Sequence, residues 1–310
     1  MFNKNQVVAV VMGGPSAERE VSLNTGAAIA NALREYGYTN VVEIDLDPRN
    51  FGKQLAESKA EVVFNAVHGL YGEDGRLQTL LEIREMPYTG SGMIASVSCM
   101  DKVITKRMLR DAGISTPACL IVNKKESGIK EKIMQRFSLP VVIKPASQGS
   151  SIGVEIVKEE KQLDEALANA FKYSRDILVE EFIGGKELTV SMMQKDGEVV
   201  ALPVIHIAPH SGMYDYHSKY TKGATEYICP ADLDEETTKK VQEISKQAYE
   251  VLGCSGVARA DVMLDEAGNG YNTVPGMTAT SLVPKAAAAA GISFPELCNI
   301  ILQSASVNNK

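Results

Sequence analysis

A run of valines, Val7-Val8-Ala9-Val10-Val11-Met12, leads straight into Gly13-Gly14-Pro15-Ser16, and this feature narrows the fold more than any other. A strand that is apolar at every position, without alternation, is buried on both faces, as parallel strands between helices are. The following segments agree: a helix-like stretch from Glu18 to about Gly37, strands at Val41–Ile44 and Val62–Val67, and a helical segment from Leu77 to Glu85. Alternation of β and α segments predicts an α/β fold with an open parallel sheet over roughly the first third of the chain. Ligands of such a sheet lie at the carboxyl ends of its strands, where Gly13-Gly14 and His68-Gly69 both fall.

From Asp101 the pattern changes. A Lys-rich helix, Lys102–Ala112, is followed by a strand near Leu120–Val122, a helix near Ile129–Phe137 and the strand Val141–Lys144. After the loop Pro145–Ser151 come a strand through Ile156, a helix Leu163–Tyr173 and the strand Ile177–Glu181. This reads as a small α+β unit rather than more of the first sheet. The last part carries strands at Glu187–Met193 and Val199–Ile207, an irregular loop Pro209–Ala224, a helix Glu235–Leu252, a strand pair over 259–273 and helices from Pro284 and Phe294. The chain of 310 residues has room for two or three domains, and the absence of low-complexity linkers predicts that they pack tightly.

Composition excludes several functions. A formal net charge of −7 leaves no electrostatic footprint for nucleic acid or an anionic membrane, and 6% aromatics with no Trp argue against base-stacking platforms. The five cysteines are scattered and form no Cys-x-x-Cys pair, which speaks against a zinc site and a disulfide framework. Val7–Met12 is too short for a secretory core and no run reaches transmembrane length, so a cytoplasmic protein is expected.

Several motifs carry chemistry. The strand Arg259–Asp265 precedes the run Asn272-Thr273-Val274-Pro275-Gly276-Met277-Thr278. Asp261 and Asn272 offer hard oxygen ligands of the kind that suit Mg²⁺ on nucleotide phosphates. Arg259, two residues before Asp261 and on the same strand face, could stabilise developing negative charge beside that metal, and Gly276 brings a bare backbone N–H close to the reacting atoms. Lys144 followed by Pro145–Gly153 is a strand end leading into a Gly/Ser-rich turn, which can fold over phosphates through backbone N–H groups. It is not a Walker A loop, and taken alone it would pass for an ordinary hairpin. Glu180 and Glu181 close a strand, and with Ile183 and Glu187 they can offer adenine a backbone edge and ribose a carboxylate; the same composition is also common in solvated turns. In the N-terminal loops, helix N-terminal N–H groups attract a carboxylate while Glu18 could hold an ammonium, a pairing that suits a zwitterionic amino acid. Met213–Thr221, dense in aromatic and charged residues, has the make-up of a lid in which Lys219 could meet a phosphate or carboxylate.

Taken in order, these motifs resemble the D-alanine–D-alanine ligases of the ATP-grasp superfamily over nearly the whole chain. The resemblance is carried by Gly13–Ser22, His68–Gln78, Pro87–Gly92, Met100-Asp101-Lys102, Lys144–Gly153, Tyr214–Tyr220 and Asn272–Pro284. It implies an ATP-grasp fold: an N-terminal open parallel sheet over 1–98, a central lobe over 99–186 and a C-terminal lobe over 187–310, the two lobes clamping ATP. It also implies that ATP phosphorylates the carboxylate of one D-alanine, that the amine of a second attacks, and that the dipeptide serves peptidoglycan synthesis. By resemblance, Glu18 binds the first ammonium and is linked to Ser150 and Tyr220 through the lid, and His68 lies at the substrate site. Arg259 and the Gly276 N–H stabilise the tetrahedral oxyanion, while Ser281, the Leu282 N–H and Lys219 hold the second carboxylate. Lys102, Lys144 and Ser151 meet ATP phosphates, Glu180, Glu181, Ile183 and Glu187 frame adenine and ribose, and Asp261 and Asn272 bind Mg²⁺ or Mn²⁺. Tyr220 at the lid resembles the dipeptide-forming members rather than those that make D-alanyl-D-lactate, and the family implies a homodimer.

One stretch departs from the family pattern. Its members carry a Glu two residues before the Asn, whereas this chain has Gly270, and 267–272 is a few residues short. A hairpin turning at Gly268-Asn269 would set Asp265 opposite Asn272, with Asp265 or Glu266 as a substitute metal ligand. Two expectations follow: a working ligase with an alternative turn, or an impaired homologue that binds nucleotide or amino acid without turnover.

Overall fold

In the computed structural model, residues 1–149, 152–210, 221, 223–272 and 282–307 are described, Tyr271 and Asn272 by their backbone. The valine run forms β1 (Val7–Met12), with Val8, Val10 and Val11 wholly buried. It is the centre of a parallel sheet ordered β2 (Asn40–Asp45), β1, β3 (Val62–Asn65). Both faces of β1 are covered, as its lack of alternation requires. The helix Arg19–Glu35 packs Ile29 and Leu33 on one face, and Phe51, Leu77 and Leu81 from later helices cover the other.

The central unit is an antiparallel sheet ordered β4 (Cys119–Asn123), β7 (Asp176–Glu181), β5 (Val141–Pro145), β6 (Glu155–Val157). Val141, Ile143, Ile177 and Val179 face a core shared with the helices Ile129–Arg136 and Leu163–Ala170. Residues one step out of phase, Val142, Lys144, Leu178 and Glu180, face the other way. That second face is covered in part by the helix Lys102–Asp111, whose Val103 packs against Leu178 and Ala146. Asp101 caps this helix, its carboxylate accepting from the N–H groups of Val103 and Ile104 at 2.9 and 3.1 Å.

The third sheet is antiparallel and runs β11 (Thr225–Ile228), β10 (Ile205–Pro209), β8 (Lys186–Lys195), β12 (Val257–Leu264), β13 (Gly270–Asn272), with β9 (Glu198–Ala201) also on β8. The helix Glu235–Val251 packs Val241 and Tyr249 against Leu188, Val190, Ala260 and Val262. The core of the first sheet continues into this unit: Met193, Leu202 and Ile205 join Leu33 and the helices Leu282–Ala289 and Phe294–Gln303 in one cluster.

The sequence reading needs correction in four places. The strand expected over Val199–Ile207 is two strands, β9 and β10, separated at Leu202-Pro203, because proline has no N–H for the ladder and the chain re-pairs further down β8. The helix Met93–Met100 was not expected, its small and β-branched residues giving little helical signal, and β11 falls between the loop ending at Ala224 and the helix from Glu235, where no element was expected. The hairpin β12–β13 sets Asn272 opposite Val262, Tyr271 opposite Met263 and Gly270 opposite Leu264. Asp265 is therefore not opposite Asn272. Its carboxylate closes the turn instead, accepting from Asn269 N at 2.8 Å and Asn269 Nδ2 at 3.1 Å.

Candidate active site

Glu18 precedes the first turn of Arg19–Glu35, its N–H donating to Ser16 Oγ at 3.1 Å, and Ser16 Oγ donates in turn to His68 O at 2.7 Å. The two N-terminal loops are thus tied together beneath the carboxylate. Their closeness is set by glycine: Gly69 has φ +67°, and a methyl group there would lie 2.7 Å from Glu18 Oε2. From the other side Gly149 approaches, a methyl there falling 3.9 Å from the same oxygen. The Glu18 carboxylate therefore sits where the first sheet's loops meet the loop that follows β5.

His68 contributes through its carbonyl. Its ring is 3% exposed, with Nε2 3.2 Å from Thr25 Oγ1 and Nδ1 3.6 Å from Glu73 Oε1. The ring lines a cavity of about 50 Å³ together with Glu73, Gln78, Thr89 and Ser91. Glu73 Oε1 and Gln78 Oε1 find no hydrogen-bond partner there, so the cavity is polar and roomy enough for ordered water. The expectation from sequence is that His68 lies at the substrate site; its carbonyl holds Ser16 beneath Glu18, and its ring borders this cavity.

In the central unit, the Lys102 ammonium donates to the carbonyl of Gln148 while its backbone N–H donates to Ala146 O at 2.9 Å, which fastens the Gly/Ser-rich loop to the helix N-terminus. Lys144, at the end of β5, makes an ion pair with Glu180 Oε2 at 2.6 Å. The other carboxylate oxygen of Glu180 lies 2.8 Å from Lys106 Nζ. Burial opposes the ionised form of Glu180, but Lys144 and Lys106 outweigh it and hold its carboxyl below the usual range. Oε2 is thus held by Lys144, while Oε1 lies against Lys106 without a directed hydrogen bond. Glu181 accepts from Ala118 N at 2.6 Å; Ile183 lies half-buried in the turn before β8; Glu187 stands on β8 between Ile207 and Met263.

On β12, Arg259 and Asp261 share a face with Ser191 and Thr189 of β8. Arg259 grips Asp261 with Nε to Oδ1 at 2.9 Å and Nη2 to Oδ2 at 3.1 Å, and Thr189 Oγ1 donates to Asp261 Oδ1 at 2.7 Å. This fixes a guanidinium, 9% exposed, in a pocket where developing negative charge would be strongly felt. Leu282 opens the helix Leu282–Ala289, so its N–H belongs to a turn without intrahelical acceptors. Ser150, Ser151, Lys219, Tyr220, Gly276 and Ser281 lie outside the described residues, as does the side chain of Asn272.

No group of three or more His, Cys, Asp or Glu that could hold a metal occurs among the described residues. Asp261 is the one candidate ligand with a described carboxylate on the site face, since Asp265 serves its turn. A resident ion would need more. A Mg²⁺ that arrives on nucleotide phosphates needs only one or two protein carboxylates, the remaining ligands being phosphate oxygens and water, and this donor set fits that case.

Sequence reasoning missed Lys106. Lysines on a helix are usually solvated, yet this one lies in the apolar stripe of Val103 and Leu109, three residues from each. That spacing was the available signal.

Comparison with known proteins agrees with this geometry. Residues 108–303 match the family model described as D-ala D-ala ligase C-terminus, and residues 47–91 match the D-ala D-ala ligase N-terminus. A D-alanine–D-alanine ligase of Syntrophotalea carbinolica is 47% identical over 304 residues, 97% of this chain and 96% of that protein. Among solved structures, the Bacillus anthracis D-alanine–D-alanine ligase complexed with ATP has a TM-score of 0.81 at 32% identity, covering 96% of this chain and 97% of that one. A D-Ala:D-Ser ligase from Enterococcus faecalis has a TM-score of 0.79 at 29% identity, covering 96% of this chain and 99% of that one.

Proposed function

Because this chain belongs to the D-alanine–D-alanine ligase family, we propose that it uses ATP to join two D-alanines, with the residues assembled above in the roles their positions suit. The overall reaction is an ATP-dependent ligation: the γ-phosphoryl group passes to the carboxylate of the first D-alanine, releasing ADP. The amine of the second then attacks the acyl carbon, and phosphate leaves. The observation that carries the assignment of roles is the meeting at Glu18 of loops from the first sheet and the central unit.

In this reading Glu18 holds the ammonium of the first D-alanine, because an anionic group seated between Gly69 and Gly149 can approach a small zwitterion closely. Lys102 and Lys144 meet the phosphates, and Glu180, Glu181, Ile183 and Glu187 frame the base and ribose. Arg259 faces the carbonyl oxygen as it gains charge in both steps, already oriented by Asp261 so that little reorganisation is needed. Leu282 N–H, with Ser281 and Lys219, receives the second carboxylate, and Ser150, Tyr220 and Gly276 complete the lid and oxyanion site. Mg²⁺ carried on ATP, with Asp261 and Asn272 as protein ligands, supplies charge neutralisation. The division at 98/99 and 186/187, the homodimer and the cytoplasmic location belong to the same proposal. Among the described residues no single helix is long and apolar enough to cross a membrane.

The impaired reading of the shortened 266–272 hairpin draws no support from the relatives, all named as ligases. The test is phosphate release from ATP with Mg²⁺ and D-alanine, with the dipeptide identified by mass. D-alanine-dependent release that Asp261→Ala abolishes is the expected result. Nucleotide binding without release would overturn it in favour of the impaired homologue. Replacing the acceptor with D-serine or D-lactate in the same assay sets the substrate range.

A further inference from the structure

Lys106 is the most buried charged side chain among the described residues, 1% exposed. Its ammonium has three oxygens within reach: Thr116 Oγ1 at 2.7 Å, Pro117 O at 2.8 Å and Glu180 Oε1 at 2.8 Å. Thr116 and Pro117 take two of its three N–H donors, and Glu180 faces it as an ion pair. Buried as it is, Lys106 acts on a ligand through its neighbours rather than by contact. Lys144, which holds the second oxygen of Glu180, stands at the end of β5 where the Gly/Ser-rich loop begins.

Two lysines around one carboxylate leave a net charge of +1 in a buried place. The titratable groups facing Lys106 are Glu180 from β7, Lys144 from β5 and the Cys119 thiol from β4. Among the described residues no second carboxylate faces it. Burial, and after the attraction of Glu180 the repulsion of Lys144, accordingly push the Lys106 ammonium below its ordinary range. Such a cluster is costly unless an anion arrives from outside the fold, and the open side of the cluster is the one that Lys144 presents. We propose that Lys106 is a positioning residue for the nucleotide: it offsets the charge of Glu180, so that the Lys144 ammonium keeps the charge the phosphates meet. This rests on the ligase reading.

The reasoning predicts an order set by charge. Lys106→Met leaves Lys144 and Glu180 as a neutral pair, and the double variant Lys106→Met/Glu180→Gln returns the cluster to +1. Removing a unit charge from the cluster, at an effective dielectric of about 20, weakens binding by roughly tenfold or more. ATP binding to the full chain, followed by calorimetry without D-alanine, should show that loss for Lys106→Met, with recovery to within about threefold of the native chain in the double variant. The KM for D-alanine should stay unchanged. A merely structural lysine predicts no rescue, so a double variant no better than Lys106→Met overturns the proposal, as does native affinity in Lys106→Met. Should Lys106→Met fail to fold, Glu180→Gln, with +2, must bind ATP more tightly than the double variant, and equality refutes the idea. A native chain that binds no ATP would instead sink the ligase reading itself.

Discussion

Gly69→Ala separates the role of Glu18 from the stability of the loop that holds it. At φ +67° an added Cβ carries a left-handed penalty of about 1–2 kcal/mol, paid whatever the surroundings. The new methyl also falls 2.7 Å from Glu18 Oε2, well inside van der Waals contact. That oxygen is the far end of a flexible, half-buried side chain, so the clash is relieved by moving the carboxylate several tenths of an ångström rather than by unfolding the loop. Displacing a charge-assisted hydrogen bond costs roughly 1.5–3 kcal/mol, which corresponds to a rise in KM for the first D-alanine of about ten- to a hundredfold. Melting should fall only a few degrees, about 2–6 °C. Gly149→Ala is the matched control: its Cβ would sit 3.9 Å from the same oxygen, an ordinary contact, and its φ lies outside the left-handed range. Steady-state kinetics with varied D-alanine and saturating ATP, beside thermal melts, provide both readouts. Equal KM effects from the two alanines, or a Gly69→Ala enzyme that loses stability and keeps its KM, would refute the placement of Glu18 at the ammonium.

Arg259→Lys keeps the charge but loses the two-pronged grip on Asp261, so kcat should fall about 10²–10³-fold with KM for ATP little changed; a fall below tenfold would show that the guanidinium does not face the reacting carbonyl. Manganese titrated into nucleotide-free protein and followed by electron paramagnetic resonance should bind more weakly than about 1 mM, tightening only with nucleotide present; a micromolar site in the free protein would disprove a metal that arrives on ATP. Glu180 has a folded pKa below the ordinary 4.5, so the stability it contributes is complete above that value and lost as pH falls through the lower one. Melts between pH 6 and 3 should therefore show an acid loss that is reduced in Lys106→Met/Glu180→Gln, and an identical acid limb in both would contradict the pairing.

Much of the fold could be read from periodicity because burial there is local. The valine run needs cover on both faces, and β1 has it. What escaped reading depended on contacts distant in sequence. Proline at 203 ends β9, but only the edge of β8 decides where β10 begins again. Gly268-Asn269 looked like the hairpin tip, whereas the Asp265 side chain bonds Asn269 and shifts the register of Asn272 to Val262. Glu18 and the Arg259–Asp261 pair were legible because their chemistry travels with their motifs. The inward turn of the His68 ring and the burial of Lys106 were not, since each depends on neighbours from other segments, Thr25 and Glu73 for one and Thr116 and Glu180 for the other.

The core that joins the first sheet to the third unit also constrains how the chain is made. Gln303 brackets Phe2, accepting from its N–H at 2.9 Å and donating to its carbonyl at 2.7 Å, and Ser306 bridges Tyr88. Leu33 and Ile29 rest on Leu297, Ile301 and Leu302. During synthesis the helix Arg19–Glu35 therefore emerges without the helix that packs on it, and its Ile29 and Leu33 lack these neighbours until residues 294–306 have left the ribosome. The central sheet, whose core draws on residues 120–179, has no such wait. The segment made first is the one completed last, and a ribosome stalled anywhere before residue 294 would hold out a half-covered helix to chaperones or to aggregation.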